Sequence, residues 1–274
     1  MNTWENDYLK LCAEVNLHGA LQETRVGWAS AMYGKSLSIL VDSHQFPLLT
    51  TRKMYYKPIF GELAAFLKGA AYNSEFIAEG CSYWTANGTQ WNKSGFTDAL
   101  HSDFNDLYLG KIYGYQWLNF NGYNQLAKVR EQLIHDRSSR RIVMSAWNPN
   151  DLADMCLPPC HITVQFHVDG NDLSCSVYMR SVDLALGLPS DVVLYYALMV
   201  VLADEAGLSP AGLHFHFGNA HVYHAHRELI KGQLGREVQE PPSFRYVDKF
   251  QFGKDCIIIT DYRPMEAIRY ELLA

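Results

Sequence analysis

The 274-residue chain has no surplus of positive charge: 23 Lys+Arg against 29 Asp+Glu leave a net charge of −6 with neutral histidines. General duplex-DNA binding favours a basic face for the phosphates, so this balance argues against nucleic acid as a partner. A long apolar run is missing too. The longest, Val192 to Ala203, contains two tyrosines and is short of the roughly 20 residues that span a bilayer, so it reads as a buried helix and no membrane is expected. The opening residues, Met1 to Asp7, have neither the basic start nor the apolar run of a secretory signal. With no Cys-x-x-Cys pair either, the six cysteines are expected to be reduced thiols of a cytoplasmic protein. Neither a P-loop nor a Gly-x-Gly-x-x-Gly is present to hold ATP or a dinucleotide. Eleven histidines invite a metal reading, especially His214-Phe215-His216 with His221, His224 and His226 nearby. They lack the His-Glu-x-x-His pattern or a tight Cys/His set, so no metal is expected.

What is present suits a full hydrophobic core: 48% hydrophobic and 19% charged residues, with no repeat, low-complexity tract or linker. A single domain over 1–274 is the simplest organisation. Pro58 and Gly69 bracket a helix over Ile59–Lys68. Glu62 shares its apolar face with Ile59, Leu63, Phe66 and Leu67, where a carboxylate is costly unless it is paired or has a chemical task. A second amphipathic helix over Tyr123–His135 carries a Leu126, Val129, Leu133 stripe and leads into Arg140-Arg141 and a strand over Ile142–Trp147.

From Cys160 to Asp191 the pattern changes period. Ile162, Val164, Phe166 and Val168 alternate with polar residues, Asp169-Gly170 signals a hairpin, and Leu173, Cys175, Val177 and Met179 alternate on the return. A two-residue loop pairs Val168 with Asn171, and a four-residue loop pairs it with Leu173. Either register brings Cys160 within one position of Arg180, where a guanidinium favours the attacking thiolate. Asp191, near the start of the following apolar helix, has a structural explanation as an N-terminal cap. A thiol beside arginines, a buried carboxylate and a carboxylate at the head of a helix suit attack on an electrophilic ring carbon of an anionic substrate. The alternative is a binding domain whose polar groups only satisfy its core.

At this point the chain resembles the thymidylate synthase and pyrimidine-nucleotide hydroxymethylase family, nearly end to end. The likeness rests on Phe46-Pro47-Leu48-Leu49-Thr50-Thr51-Arg52, Tyr113-Gly114-Tyr115-Gln116-Trp117, Ser139-Arg140-Arg141 through Trp147, Leu157-Pro158-Pro159-Cys160-His161, Arg180-Ser181-Val182-Asp183, Leu186-Gly187-Leu188-Pro189 and Gly218-Asn219-Ala220-His221-Val222-Tyr223. It implies an α+β fold with a large twisted mixed sheet, packed helices and a homodimer formed through the sheet. It further implies that Cys160 adds to C6 of a pyrimidine nucleoside monophosphate, so that C5 attacks the one-carbon unit of 5,10-methylenetetrahydrofolate. Glu62 would handle protons and Tyr113 would lie near the thiol. Arg25, Arg180 and Ser181 would hold the phosphate with Arg140 and Arg141 of the other subunit, making the active sites shared. His221 and Tyr223 would bind the sugar, and Trp84 and Asp183 would face the folate.

Departures from the family pattern refine that reading. Uracil-specific members carry Asn where this chain has Asp191, and a carboxyl with a shared proton suits the N3 acceptor and 4-amino donor of cytosine. Met179 replaces the usual Gln, as in the hydroxymethylase branch. The second Trp after Trp84 is missing, and the chain ends in small Ala274. A wetter site would let water, rather than hydride, reach the methylene intermediate. The reading is therefore 5-hydroxymethylation of a cytidine monophosphate, dCMP foremost, of the kind that supplies modified bases to viral DNA or to nucleoside biosynthesis. Within the family the alternatives are thymidylate synthesis or dUMP hydroxymethylation; outside it, a nucleotide-binding dimer without turnover.

Overall fold

The computed structural model describes residues 3–93, 106–247 and 252–273. In chain order the elements are α1 (Thr3–His18), β1 (Ala20–Thr24), β2 (Gly27–Leu40), α2 (Lys57–Leu67), α3 (Asn73–Ala78), α4 (Thr85–Lys93), α5 (Tyr113–Leu118), α6 (Gln125–His135), β3 (Val143–Ser145), β4 (His161–Asp169), β5 (Asp172–Asp183), α7 (Gly187–Ala206), β6 (Ser209–Tyr223), α8 (Arg227–Leu234), β7 (Ser243–Tyr246) and β8 (Ile257–Thr260). A six-stranded sheet has the order β1-β2-β6-β5-β4-β3. It is mixed, because β5 and β6 run parallel across the α7 crossover while the other neighbours are antiparallel. The expected α+β architecture with a large mixed sheet is what the chain adopts.

The helices form where the pattern places them. Pro58 lies in the first turn of α2, and Gly69 takes up φ +73° just beyond it. Ile59, Leu63 and Phe66 are buried. Asn124 caps α6 by accepting a hydrogen bond from Ala127 N at 2.8 Å, so that helix starts two residues later than the stripe suggested. Helix α7 is long and apolar enough to cross a bilayer, yet most of it is buried here, packed against β5, β6 and α2. It extends beyond the expected apolar run at both ends and stops at Gly207, φ +63°.

The β4–β5 hairpin pairs Val168 with Leu173 and continues to Asp169 opposite Asp172 around Gly170-Asn171. Towards Cys160 a bulge between His161 and Thr163 shifts the register, so His161 faces Met179. The bulge turns His161 inward, 8% exposed, whereas strict alternation would have given that place to Ile162. One face of the sheet is core, with Leu37, Ile39, Leu213, Phe215, Phe217, Val177, Val164 and Phe166 buried beneath the helices. The opposite face carries Ser36, Ser38, His216, Tyr178, Gln165 and His167, which are exposed in the single chain.

Candidate active site

Cys160 ends the Leu157-Pro158-Pro159 loop at the head of β4 and is held from two sides. From β5, Arg180 donates through Nε to the Pro159 carbonyl (2.8 Å) and through Nη2 to the Pro158 carbonyl (2.7 Å), while its own backbone N bonds the Cys160 carbonyl at 2.9 Å. From α5, the Tyr113 hydroxyl accepts the Cys160 backbone N–H at 2.7 Å. Burial pushes the Cys160 thiol above its ordinary value and Asp191 adds to this; Arg180 favours the thiolate, as expected, and Tyr113 acts in the same direction, but burial outweighs both.

Glu62 on α2 accepts a hydrogen bond from the Trp84 indole, Nε1 to Oε1 2.8 Å. Trp84 is therefore the partner of Glu62 and sits within an aromatic cluster with Phe66, Phe76 and Tyr113. Glu62 as a whole residue is half-buried. Burial of its carboxyl pushes its pKa up to about 7; the Trp84 bond and His161 oppose this and Asp191 adds to it. An acid poised near neutrality can both give and take a proton.

Asp191 is not the cap of α7. That place belongs to Leu186, and Asp191 lies in the second turn. Its Oδ1 is 2.9 Å from His161 Nε2, a residue that the alternation placed on the other side of the strand. The His161 ring packs 4.8 Å from Tyr113 and 5.3 Å from Tyr195.

The β5–β6 register sets Ser181 opposite Asn219 and Asp183 opposite His221, next to Arg180. Burial draws His221 down to about 4, so its imidazole is neutral at neutral pH, 3.1 Å from the Asn219 amide oxygen and 4.9 Å from the Tyr223 ring. Arg25 stands exposed at the turn between β1 and β2. Its charge reaches Tyr223, opposing the upward push of burial, Asp183 and Cys160 on that hydroxyl. Burial likewise raises Asp183, whose Oδ1 accepts from Ala185 N at 2.9 Å.

Cys160, Tyr113, Glu62, Trp84, Asp191, Arg180, Ser181, Asp183, His221, Tyr223 and Arg25 thus converge on one end of β4, β5 and β6. Arg140 and Arg141 do not. Both are exposed, and the Arg140 carbonyl takes a bond from Gln165 at 3.3 Å, five residues along β4 from Cys160, or roughly 17 Å of extended chain. Met179 is buried in the core opposite Phe217. Ala274 lies outside the described residues.

Sequence reasoning left out Arg52, which is 6% exposed, donates to the Ala185 carbonyl at 2.5 Å and lies over the Tyr270 ring at 5.0 Å. His226, weighed in the sequence only as one of a group of histidines, lies 2.9 Å from the Glu271 carbonyl. Arg52 thus ties the C-terminal segment to the β5–α7 turn, and His226 ties it to the segment between β6 and α8. The available signal was Arg52 closing a quoted motif. Among the described residues, no group of three His, Cys, Asp or Glu is placed to hold a metal ion.

A family model described as thymidylate synthase matches residues 6–274. A thymidylate synthase of Ascaris suum is 34% identical, over 98% of this chain and 97% of its own. That of equine herpesvirus 2 is 33% identical over 98% of each chain, and the human enzyme is 35% identical over 83% of this chain and 77% of its own. Sequence, fold and the convergence of these side chains agree: the chain belongs to the thymidylate synthase family of one-carbon transferases.

Proposed function

We propose that this chain transfers a one-carbon unit to C5 of a pyrimidine nucleoside monophosphate, and that the nucleotide is a cytidine monophosphate, dCMP foremost, with 5-hydroxymethyl product. Cys160 Sγ forms a bond to C6, and the displaced electron pair makes C5 nucleophilic. 5,10-Methylenetetrahydrofolate supplies the one-carbon unit when bound. Trp84 and Asp183 would hold it: a flat buried indole and a hydrogen-bond-accepting carboxyl suit a flat pterin with N–H donors. Glu62, near neutrality, takes and returns protons, and the C5 proton leaves before Cys160 is expelled. Water adds to the carbon unit, and nucleotide, methylenetetrahydrofolate and water yield hydroxymethyl nucleotide and tetrahydrofolate.

The observation that carries the cytosine reading is Asp191, a carboxyl aligned by His161 where uracil-specific members have an amide. A second reading, dUMP methylation, has the support of the relatives, since those compared are named thymidylate synthases. A homodimer with shared sites is supported by the uncovered sheet face and by the distance of Arg140 and Arg141 from Cys160 in their own chain.

The test is product mass after incubation with dCMP, CMP or dUMP and methylenetetrahydrofolate in oxygen-18 water. The cytosine reading expects a hydroxymethyl product carrying the label, with tetrahydrofolate. An unlabelled methyl product from dUMP, with dihydrofolate, would establish the second reading in its place.

A further inference from the structure

Trp147, which closes the segment after Arg140 and Arg141, is half-buried. Unlike Trp4, Trp84 and Trp117, it is not part of the hydrophobic core. Its indole faces a charge instead: the guanidinium carbon of Arg180 lies over the ring, 5.7 Å from the centroid. The backbone that carries the indole is pinned. Gln125, at the start of α6, grips Ser145 with both ends of its amide, Nε2 donating to the Ser145 carbonyl at 2.7 Å and Oε1 accepting the Ser145 N–H at 2.9 Å. The Ser145 hydroxyl in turn accepts the Trp147 N–H at 3.2 Å and donates to the Ile162 carbonyl, inside the β4 bulge, at 2.7 Å. The ring therefore stands on a base fixed by α6, β3 and β4.

Arg180 has a use for such a wall. Its Nε and Nη2 donate to the Pro159 and Pro158 carbonyls, which engages one edge of the guanidinium fork. Two hydrogen bonds along one edge form a hinge, because the plane can still swing about the line that joins the two carbonyls. A small swing costs little in either bond but moves the Nη1 end and the charge with it. That charge is the largest influence favouring the Cys160 thiolate against burial. Of the other groups around the thiol, Tyr113 on α5 assists, Asp191 on α7 opposes, and the Tyr223 hydroxyl on β6 is within electrostatic reach. An indole against one face of the guanidinium limits the swing: the cation is drawn to the ring and cannot pass through it.

We infer that Trp147 is a positioning residue: its indole holds the Arg180 guanidinium, hinged on the Pro158 and Pro159 carbonyls, in the orientation that serves both the Cys160 thiol and the nucleotide phosphate. The thiol half stands on this geometry. The phosphate half rests on the proposed function, in which the Nη1 end of Arg180 meets the anion, and the test separates the two.

Alkylation of Cys160 by iodoacetamide is followed against pH without nucleotide, with the labelled site read by mass spectrometry. The chains compared are the wild type, Trp147→Phe, Trp147→Leu, Arg180→Met and the Trp147→Leu/Arg180→Met pair, with folding checked by thermal melting and binding of dCMP and dUMP measured by calorimetry. Trp147→Leu should raise the pH midpoint of alkylation and slow the reaction near pH 8 by on the order of fivefold, the scale of one partly desolvated cation–π contact. Both nucleotides should bind more weakly to a similar degree. Trp147→Phe keeps a ring face and should stay within about twofold of the wild type. Against Arg180→Met, the added Trp147→Leu should change nothing further. Should Trp147→Leu not fold, Trp147→Met, flexible and without a ring, takes its place in the same comparison. A wild-type midpoint in the folded variant without a ring, a Phe variant no better than it, or a further fall in the double variant would overturn the assignment. A raised midpoint with wild-type nucleotide affinity would overturn the phosphate half alone.

Discussion

Cys160 and Glu62 are both pushed away from their charged forms by burial, and that shared cause yields two separable expectations. Cys160→Ser should abolish turnover while nucleotide still binds, whereas Cys156→Ser and Cys175→Ser, whose thiols have no part in the proposed chemistry, should keep turnover if folded; steady-state kinetics with a binding isotherm distinguishes them. For Glu62 the sign follows from its raised folded-state pKa of about 7. The folded chain holds this proton more tightly than the unfolded one, so the stability contributed is complete below the unfolded carboxyl value and is lost as pH rises through about 7. Glu62→Gln keeps the acceptor for Trp84 and removes that loss. It should match wild type near pH 4 and exceed it at pH 8 by on the order of 2–3 kcal/mol, given ~1.4 kcal/mol per tenfold change in proton affinity. Denaturant titrations at the two pH values measure it, and equal differences at both would show that Glu62 is not held neutral. Turnover of the variant should fall by roughly 100-fold or more, the usual scale for a lost acid–base group.

Among the elements, α7 supplies a control. Gly207 closes it at φ +63° with no atom within 4 Å of a would-be Cβ, so Gly207→Ala should cost about 1 kcal/mol of stability through backbone conformation alone and leave kcat unchanged. Thermal melting and kinetics would check both halves; a lowered kcat would mean that the helix end communicates with the site. The faces of α2 and α6, the buried run in α7 and the β4–β5 pairing follow from period and turn chemistry, which act over a few residues. What the sequence did not disclose depends on one inserted residue or on distant partners. The bulge after His161 changes the parity of β4, and parity alone decides whether that histidine meets Asp191. The cap reading of Asp191 failed because the α7 helix begins at Gly187, earlier than the apolar run. The thiolate expectation weighed the neighbouring arginine but not the burial that a folded loop imposes. The parallel pairing of β5 with β6, which brings His221 to Asp183, joins segments separated by the whole of α7.

For the whole molecule, an uncovered sheet face and an arginine pair far from its own Cys160 lead to an expectation about assembly. Cys160→Ser and Arg140→Ala/Arg141→Ala chains, each inactive alone, should regain about a quarter of wild-type activity when mixed equally, because half the dimers then contain one intact site. Heterodimers that form without any turnover would show that the phosphate site is completed within one chain. The central claim, that Cys160 activates C5 of a pyrimidine nucleotide for carbon attachment, is tested most directly by release of tritium from the C5 position. With nucleotide tritiated at C5 and methylenetetrahydrofolate present, the wild-type chain should release one tritium to water per product formed, from dCMP in preference to dUMP, and Cys160→Ser should release none. No release from either nucleotide by the folded wild type, or release undiminished by Cys160→Ser, would contradict the account.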